Sequence, residues 1–351
     1  MARFRLSVTM KKIKVGINGL GRIGRAFLKR ALAEPEIEVV AVNDLASKEG
    51  MEYLLKYDSV FGRSGISLEG IQYISEREPA KLPWKELAID VVVESTGFFA
   101  SAAQSQAHLD AGAKKVVITA PIKDGETVLM GLNEEKLKTC TVSSNASCTT
   151  NAAAPIITIL DETIGIEKAV LNTVHAYTAT QSLVDSPAGK KPARPNGRSG
   201  GGLREGRAAA QNIIPSSTGA ATAVTKAYPK LKGAFDGISL RVPVICGSIA
   251  DITFIAKRAT TAEEVNEILR KAGKDARWKG IFAASDDELV SSDIIGRPEA
   301  AIAELSMTRV VGGPSTPLGT GNLVKVLAWY DNESGYANML VRHVIEAGKL
   351  I

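Results

Sequence analysis

Short, unbroken apolar runs recur through the N-terminal part of the chain, each separated from the next by a stretch with helical spacing. "IKVGIN" (13–18), "EIEVVAVND" (36–44), "IDVVVESTG" (89–97) and "AKKVVITAP" (113–121) are rich in Val and Ile and predict strands. "RIGRAFLKRALAEP" (22–35) and "AAQSQAHLDAG" (102–112) predict helices. Strands that are apolar on both sides must be covered on both faces. The runs therefore predict a parallel sheet with helices above and below it, a Rossmann-type doubly wound α/β unit.

Beyond Cys148 the texture changes. "KAVLNTVHAYT", "GAFDGISLRVPV" and "GSIADITFIAKR" are β-rich runs with few helices between them, as in the mixed sheet of an α+β unit. "TTAEEVNEILRKAGK" (260–274) is an amphipathic helix, and the chain closes on a strand, a polar turn and a final helix. The change predicts two units, 11–147 and 148–324. Between the β-rich runs lies "DSPAGKKPARPNGRSGGGLREGR", which predicts a long exposed loop with a flexible bulge at Gly197 and Gly200 to Gly202.

Composition narrows the class. The 351 residues leave room for two cores, and 45% apolar with 23% charged residues is ordinary for a soluble globular protein. No apolar run reaches the roughly 18–20 residues that a membrane span needs. The net charge of +5 is spread along the chain, which argues against a dedicated nucleic-acid site and against membrane binding. Three cysteines (Cys140, Cys148, Cys246) with no C-x-x-C pair, and only three histidines, predict a reducing compartment, no disulfide framework and no metal site. "MARFRLSVTM" lacks the apolar core of a signal peptide and the length of a transit peptide, so a cytoplasmic protein is expected, with Met10 readable as an internal start.

Two stretches carry candidate chemistry. "GINGLGRIGR" holds G-x-G-x-x-G at Gly19, Gly21 and Gly24, after a strand and at the opening of a helix, with Asp44 ending the next strand. That context is the dinucleotide fingerprint: one glycine for the tight turn, one for close approach of a pyrophosphate, one for helix packing. Asp44 suits the two ribose hydroxyls and would repel a 2′-phosphate, which favours NAD over NADP. The competing reading is a packing turn with Asp44 as a helix cap. In "SNASCTTNAAAP" (144–155), Cys148 stands at the start of a predicted helix, where unpaired N–H groups favour thiolate. The competing reading is a small buried side chain, which is how Cys140 and Cys246 read. His175 ends a strand and suits a cleft, as a partner for Cys148. His108 and His343, both within helices, read as surface or packing residues.

"SNASCTTN" and "HAYTATQ", together with "GINGLGRIGR", "AVND", "NIIPSSTGAA", "RVP" and "WYDNE", closely resemble the phosphorylating glyceraldehyde-3-phosphate dehydrogenase family from about Lys12 to the C-terminus, with the motifs in the same order along the chain. The resemblance implies that Cys148 attacks an aldehyde carbon to form a thiohemiacetal, with His175 as base and oxyanion donor. Hydride transfer to NAD would leave a thioester for inorganic phosphate to resolve, converting glyceraldehyde 3-phosphate to 1,3-bisphosphoglycerate in glycolysis. It implies a site for the substrate's phosphate at Thr178, Thr180 and Arg241, and one for the attacking phosphate at Ser147, Thr149, Thr218 and Gly219. Arg241 could otherwise be a strand-edge arginine paired with an aspartate.

Cofactor contacts carried over are Asn18, Gly19, Gly21, Arg22, Ile23, Asp44, Arg77, Thr96, Thr119 and Asn332, the last holding the nicotinamide carboxamide. Pro187 matches the NAD-using pattern. Return of 325–351 to the cofactor unit and a homotetramer are also implied. Two alternatives stand beside this reading: an erythrose-4-phosphate dehydrogenase, and a non-catalytic NAD-binding regulatory protein of the same fold. The chain departs from the family's pattern at Ala152 (usually a second cysteine), Ser334 (tryptophan), Phe61 (histidine), Thr222 (lysine) and in "VPVICGS".

Overall fold

The computed structural model describes residues 11–187, 202–312 and 320–351. Residues 1–9, Met10 and the glycines Gly197, Gly200 and Gly201 of the expected bulge lie outside the described residues. In chain order the first part gives β1 (Ile13–Asn18), α1 (Arg22–Ala31), β2 (Ile37–Asn43), α2 (Lys48–Lys56), a small hairpin of β3 (Tyr57–Asp58) and β4 (Gly62–Arg63), and β5 (Gln72–Ile74). It continues with β6 (Val91–Glu94), α3 (Ala102–Asp110), β7 (Lys115–Ile118), β8 (Glu126–Thr127) and β9 (Val142–Ser144). Seven of these strands form one sheet in the order β5-β2-β1-β6-β7-β9-β8, with every pairing parallel.

The unbroken apolar runs work as expected. Every residue of β6 and β7 is buried. Val91 and Val93 join a core shared with α1, while Val92 and Val116 face a second core with Trp84 and Ile89 on the other side. The strands are shorter than the runs that announced them. Asp44, Thr96, Gly97 and Thr119 therefore stand in loops just past the carboxyl ends, along one edge of the sheet.

The second part begins with α4 (Cys148–Thr163) and β10 (Ile166–Ala176), followed by β11 (Ile214–Ser217), α5 (Ala220–Ala227), β12 (Phe235–Val242), β13 (Ser248–Thr261) and α6 (Ala262–Ala272). β14 (Phe282–Ser285), β15 (Ala301–Val311), β16 (Thr320–Tyr330) and α7 (Ser334–Gly348) complete it. The mixed sheet runs β11-β12-β10-β13-β16-β15-β14, with β10–β12 and β14–β15 parallel and the other pairings antiparallel. α4 is apolar nearly all round and is buried from Thr149 to Leu160, between the mixed sheet and α5, α6 and α7. Pro155 lies in its interior. The mixed sheet keeps β16 up to Tyr330, so the return to the first unit begins with α7, which packs on α1, and not at residue 325.

Candidate active site

At the edge of the parallel sheet the glycine turn divides its space in three. Gly19 has φ 97°, and a Cβ there would meet the Thr96 amide nitrogen at 2.8 Å. At Gly24 a Cβ would lie 2.0 Å from the Gly19 carbonyl oxygen, so this glycine lets α1 pack on the turn. At Gly21, the N-cap of α1, a Cβ would meet nothing within 4 Å. Open space over the first N–H groups of a helix is what an approaching pyrophosphate requires, and the residues present fit a dinucleotide. Asp44 completes the fit. Its Oδ2 accepts from the Leu20 N–H (2.7 Å) and its Oδ1 from the Ala46 N–H (3.0 Å), which fixes the carboxylate beside the turn with lone pairs left over.

Beneath this edge lies a polar network that sequence reasoning missed. His108 is fully buried, which leaves the packing reading and excludes the surface one. The Trp84 Nε1–H donates to His108 Nδ1 (3.0 Å), so the ring proton sits on Nε2 and reaches Glu94 Oε2 (3.1 Å). Glu94 also accepts from Asn18 Nδ2 (2.6 Å) and from the backbone and hydroxyl of Thr96. Asn43 donates to Asn18 Oδ1 (2.7 Å). The buried carboxylate is thus surrounded by donors, and it ties together the ends of β1, β2 and β6.

Arg22 opens α1 but directs its guanidinium to Glu333 and Asp58, with the Phe61 ring 5.8 Å from its carbon. Ile23 follows it, partly buried against the core. Ser334 receives a hydrogen bond from Arg30, which fastens the start of α7 to α1 where the family's pattern has a bulky side chain. Thr119 donates its N–H to the Glu94 carbonyl (3.0 Å). Arg77 stands apart, exposed at the sheet edge.

The candidate nucleophile is set by a tight turn. Ala146 has φ 54°, in the left-handed region, which bends the chain sharply out of β9. Ser147 is the N-cap of α4, and its Oγ accepts from the Thr150 N–H (3.1 Å). Cys148 is the first helical residue, with Sγ 3.4 Å from His175 Nε2. α7 supports the turn from behind. Tyr336 donates to the Ala146 carbonyl (3.1 Å), and His343, fully buried, lies 3.2 Å from Asn145 Oδ1 and 2.8 Å from Ser143 Oγ. His343 is therefore no surface residue either.

His175 ends β10, and the parallel register with β12 makes Arg241 its direct partner. Arg241 Nη1 is 2.6 Å from His175 Nδ1 and 3.2 Å from the Ala176 carbonyl. No aspartate pairs with Arg241 among the described residues. Burial and then the Arg241 charge push His175 down to about 3, so the ring is neutral. Burial pushes the Cys148 thiol up, and the nearby guanidinium offsets only part of this.

The remaining candidates fall into groups. Thr178 and Thr180 join their hydroxyls (2.9 Å), and both are held by Gln181, a buried residue with no role in the sequence reading. Thr149 is buried, and its hydroxyl meets Tyr330 (2.9 Å), which also meets Thr173 (2.7 Å). Thr218 and Gly219 lead into α5, with the Thr218 hydroxyl accepting from the Ala220 N–H (3.2 Å). Asn332 Oδ1 accepts from the Gly247 N–H and the Ser248 hydroxyl (both 3.1 Å), which aims its amide group away from them. Ser248 also accepts from the Ala176 N–H (3.1 Å), so Asn332 is linked to the strand end that bears His175. Cys246 is buried on Asp331, and Cys140 packs on the core.

Residues 13–102 match the model of the glyceraldehyde 3-phosphate dehydrogenase NAD binding domain, and residues 147–332 match that of its C-terminal domain. The chain is 44% identical over 351 residues to a glyceraldehyde-3-phosphate dehydrogenase of Streptomyces coelicolor, covering 96% of this chain and 98% of the relative. It is 44% identical over 357 residues to that of Mycobacterium avium (96% and 99%) and 43% identical over the same length to that of Mycobacterium tuberculosis (96% and 99%).

Proposed function

We propose that this chain, which belongs to the glyceraldehyde-3-phosphate dehydrogenase family, performs the family's phosphorylating oxidation with Cys148 as nucleophile and His175 as base. Glyceraldehyde 3-phosphate, NAD and inorganic phosphate become 1,3-bisphosphoglycerate and NADH. The observation that carries the residue assignment is the 3.4 Å approach of Cys148 Sγ to His175 Nε2 at the start of a buried helix. Sulfur attacks the aldehyde carbon as its proton passes to Nε2, giving a thiohemiacetal on Cys148. The imidazolium hands that proton to the alkoxide oxygen, and the neutral ring then takes the hydroxyl proton back as the carbon gives up hydride. NAD, when bound, supplies the hydride acceptor. The thioester left on Cys148 is resolved by inorganic phosphate, which frees the sulfur.

The glycine turn with Gly19 and Gly21, the N–H groups of Arg22 and Ile23, and Asp44 would hold NAD, with Asn18, Thr96 and Thr119 along the strand ends. Asn332 would grip the carboxamide, and Arg77 would reach the outer part of the groove. The substrate's phosphate would lie among Thr178, Thr180 and Arg241, whose buried Nε has no partner among the described residues. The attacking phosphate would lie at Ser147, Thr149, Thr218 and Gly219, at two helix N-termini. Thr149 would release Tyr330 to do so.

The change from parallel to mixed sheet supports a two-unit division at 147/148. A homotetramer is supported by apolar side chains left exposed on the mixed sheet, among them Val170, Ile238 and Leu323. No helix among the described residues is long and apolar enough to cross a membrane, and a cytoplasmic location agrees with three unpaired cysteines. The test is NADH formation from glyceraldehyde 3-phosphate and NAD, with and without inorganic phosphate. Phosphate-dependent turnover is expected. Turnover that is indifferent to phosphate would favour a hydrolytic relative, and absence of turnover would refute the enzyme.

A further inference from the structure

Behind the turn that leads to Cys148, the closing helix presents two polar side chains on one face. Tyr336 and His343 lie seven positions apart on α7, about two turns, and both are buried. Tyr336 donates its hydroxyl to the Ala146 carbonyl (3.1 Å). His343 Nδ1 lies 3.2 Å from Asn145 Oδ1, and its Nε2 lies 2.8 Å from Ser143 Oγ. An amide oxygen can only accept, so Nδ1 carries the ring proton. Burial, aided by Lys115, pushes the ring down to about 3 and keeps it neutral. Nε2 is then free to accept from the Ser143 hydroxyl, and a single tautomer satisfies both contacts.

These side chains hold the segment that delivers Cys148. Ala146 has φ 54°, a conformation that a residue with a Cβ keeps only where its surroundings impose it. Asn145 is tied through its backbone as well, donating to the Ile118 carbonyl (3.0 Å) and accepting from Asn151 Nδ2 (2.8 Å). An apolar side chain could fill the place of His343 with less desolvation, but it would leave the Asn145 amide free to turn. We propose that His343 is a positioning residue for the reaction: by holding the Asn145 side chain it locks the left-handed turn at Ala146, and so sets where α4 begins and where Cys148 Sγ stands.

The inference rests on the function proposed above and adds a residue that serves the same site without touching it. Relaxation at Ala146 would swing Cys148, two residues on, relative to His175, which stands on β10. A displacement of about 1 Å between reacting groups can cost about 10²-fold in rate. Helix α7 suits the task, because it packs on α1, α4, β6 and β7 and its first residue, Ser334, is held by Arg30. The helix thus fastens the turn before Cys148 to the unit that bears the glycine turn.

The experiment uses the full-length protein and separates the two contacts of the ring. Asparagine can place its amide nitrogen where Nδ1 stood, and glutamine its amide oxygen where Nε2 stood. His343→Asn therefore keeps the donor to Asn145, and His343→Gln keeps only the acceptor for Ser143. Two rates are read beside thermal melts. One is the first turnover of NADH at saturating glyceraldehyde 3-phosphate, NAD and phosphate. The other is alkylation of Cys148 by iodoacetamide, resolved from Cys140 and Cys246 by mass spectrometry. His343→Gln is expected to lower both rates by about tenfold or more with KM little changed. His343→Asn should stay within about threefold of the parent although it melts no higher than the Gln variant. Tyr336→Phe, which keeps the ring, should act like His343→Gln, and the double variant should lose no more than the worse single, since both act through one turn. Unchanged rates in His343→Gln or Tyr336→Phe, equal losses in the Asn and Gln variants, or losses that multiply in the double variant would each overturn the positioning role. Alkylation needs no substrate, so a parent that forms no NADH would strike the proposed activity while the alkylation rates still decide the role of His343.

Discussion

The two sheets end in sites of opposite character. At the edge of the parallel sheet the buried polar groups are mutually satisfied: Glu94 is met by Asn18, His108 and Thr96, and Asp44 by two backbone donors. What that edge presents outward is backbone N–H and open space at Gly21. At the end of β10 the groups are in conflict. His175 Nδ1 is contested, Arg241 Nε has no partner among the described residues, and a thiol whose pKa is raised by burial faces a neutral imidazole. A binding surface works best when it need not rearrange, whereas a reactive site keeps unsatisfied groups that the substrate completes.

The sharpest way to break this contrast is to remove the reactive groups. Cys148→Ser should lower kcat by about 10⁴-fold or more, and His175→Asn by about 10²- to 10⁴-fold, with NAD affinity from fluorescence titration unchanged in both. Residual activity within tenfold of the parent in either variant would refute its assigned role. A tenfold loss of NAD affinity would show that the two ends are not independent.

The glycine turn separates packing from binding. Gly24→Ala drives a methyl into the Gly19 carbonyl and should destabilise the fold by about 1–3 kcal/mol in urea titrations. Gly21→Ala places its methyl in open space, so stability should hold within about 0.5 kcal/mol apart from the N-cap change, while NAD affinity falls about tenfold or more. The reverse pattern would mean that Gly21 is the packing glycine.

A smaller effect concerns pH. His175 and His343 are both pushed down to about 3, chiefly by burial. An unfolded histidine titrates near 6.5, so between about 6.5 and about 3 the unfolded chain binds more protons, and stability falls as pH falls through that window. The slope is at most about 1.4 kcal/mol per pH unit for each ring. His343→Leu should flatten it by one ring's share. It should also cost about 1–3 kcal/mol at neutral pH, because Ser143 and Asn145 lose a buried partner. An unchanged slope in urea midpoints measured across the window would mean that His343 titrates normally.

Much of the cofactor end was legible. Gly19, Gly21, Gly24 and Asp44 act over a few residues, and their spacing already specifies a turn, a helix start and a strand end. Cys148 and its capping serine were equally local. His108 and His343 were not legible, because both lie on helices whose visible pattern gives no sign of a polar partner inside the core. Gln181 carries no local signal inside "HAYTATQ", since its work is to hold two neighbouring hydroxyls. The closing unit was also placed too early, as "NLVKVLAWY" looks the same at the edge of either sheet.

By itself the sequence determined the strand-and-helix alternation, the glycine turn, the helix-start cysteine and, through its ordered motifs, the family. These depend on short-range periodicity and local backbone chemistry. Tertiary structure alone decided that His175 faces Arg241, because that contact follows from the parallel register of β10 on β12, strands separated by more than fifty residues. It also decided that two helical histidines became buried struts, and that Ser334 met Arg30 across α1 and α7. Each of these depends on which surfaces the chain buries together, and no local pattern records that.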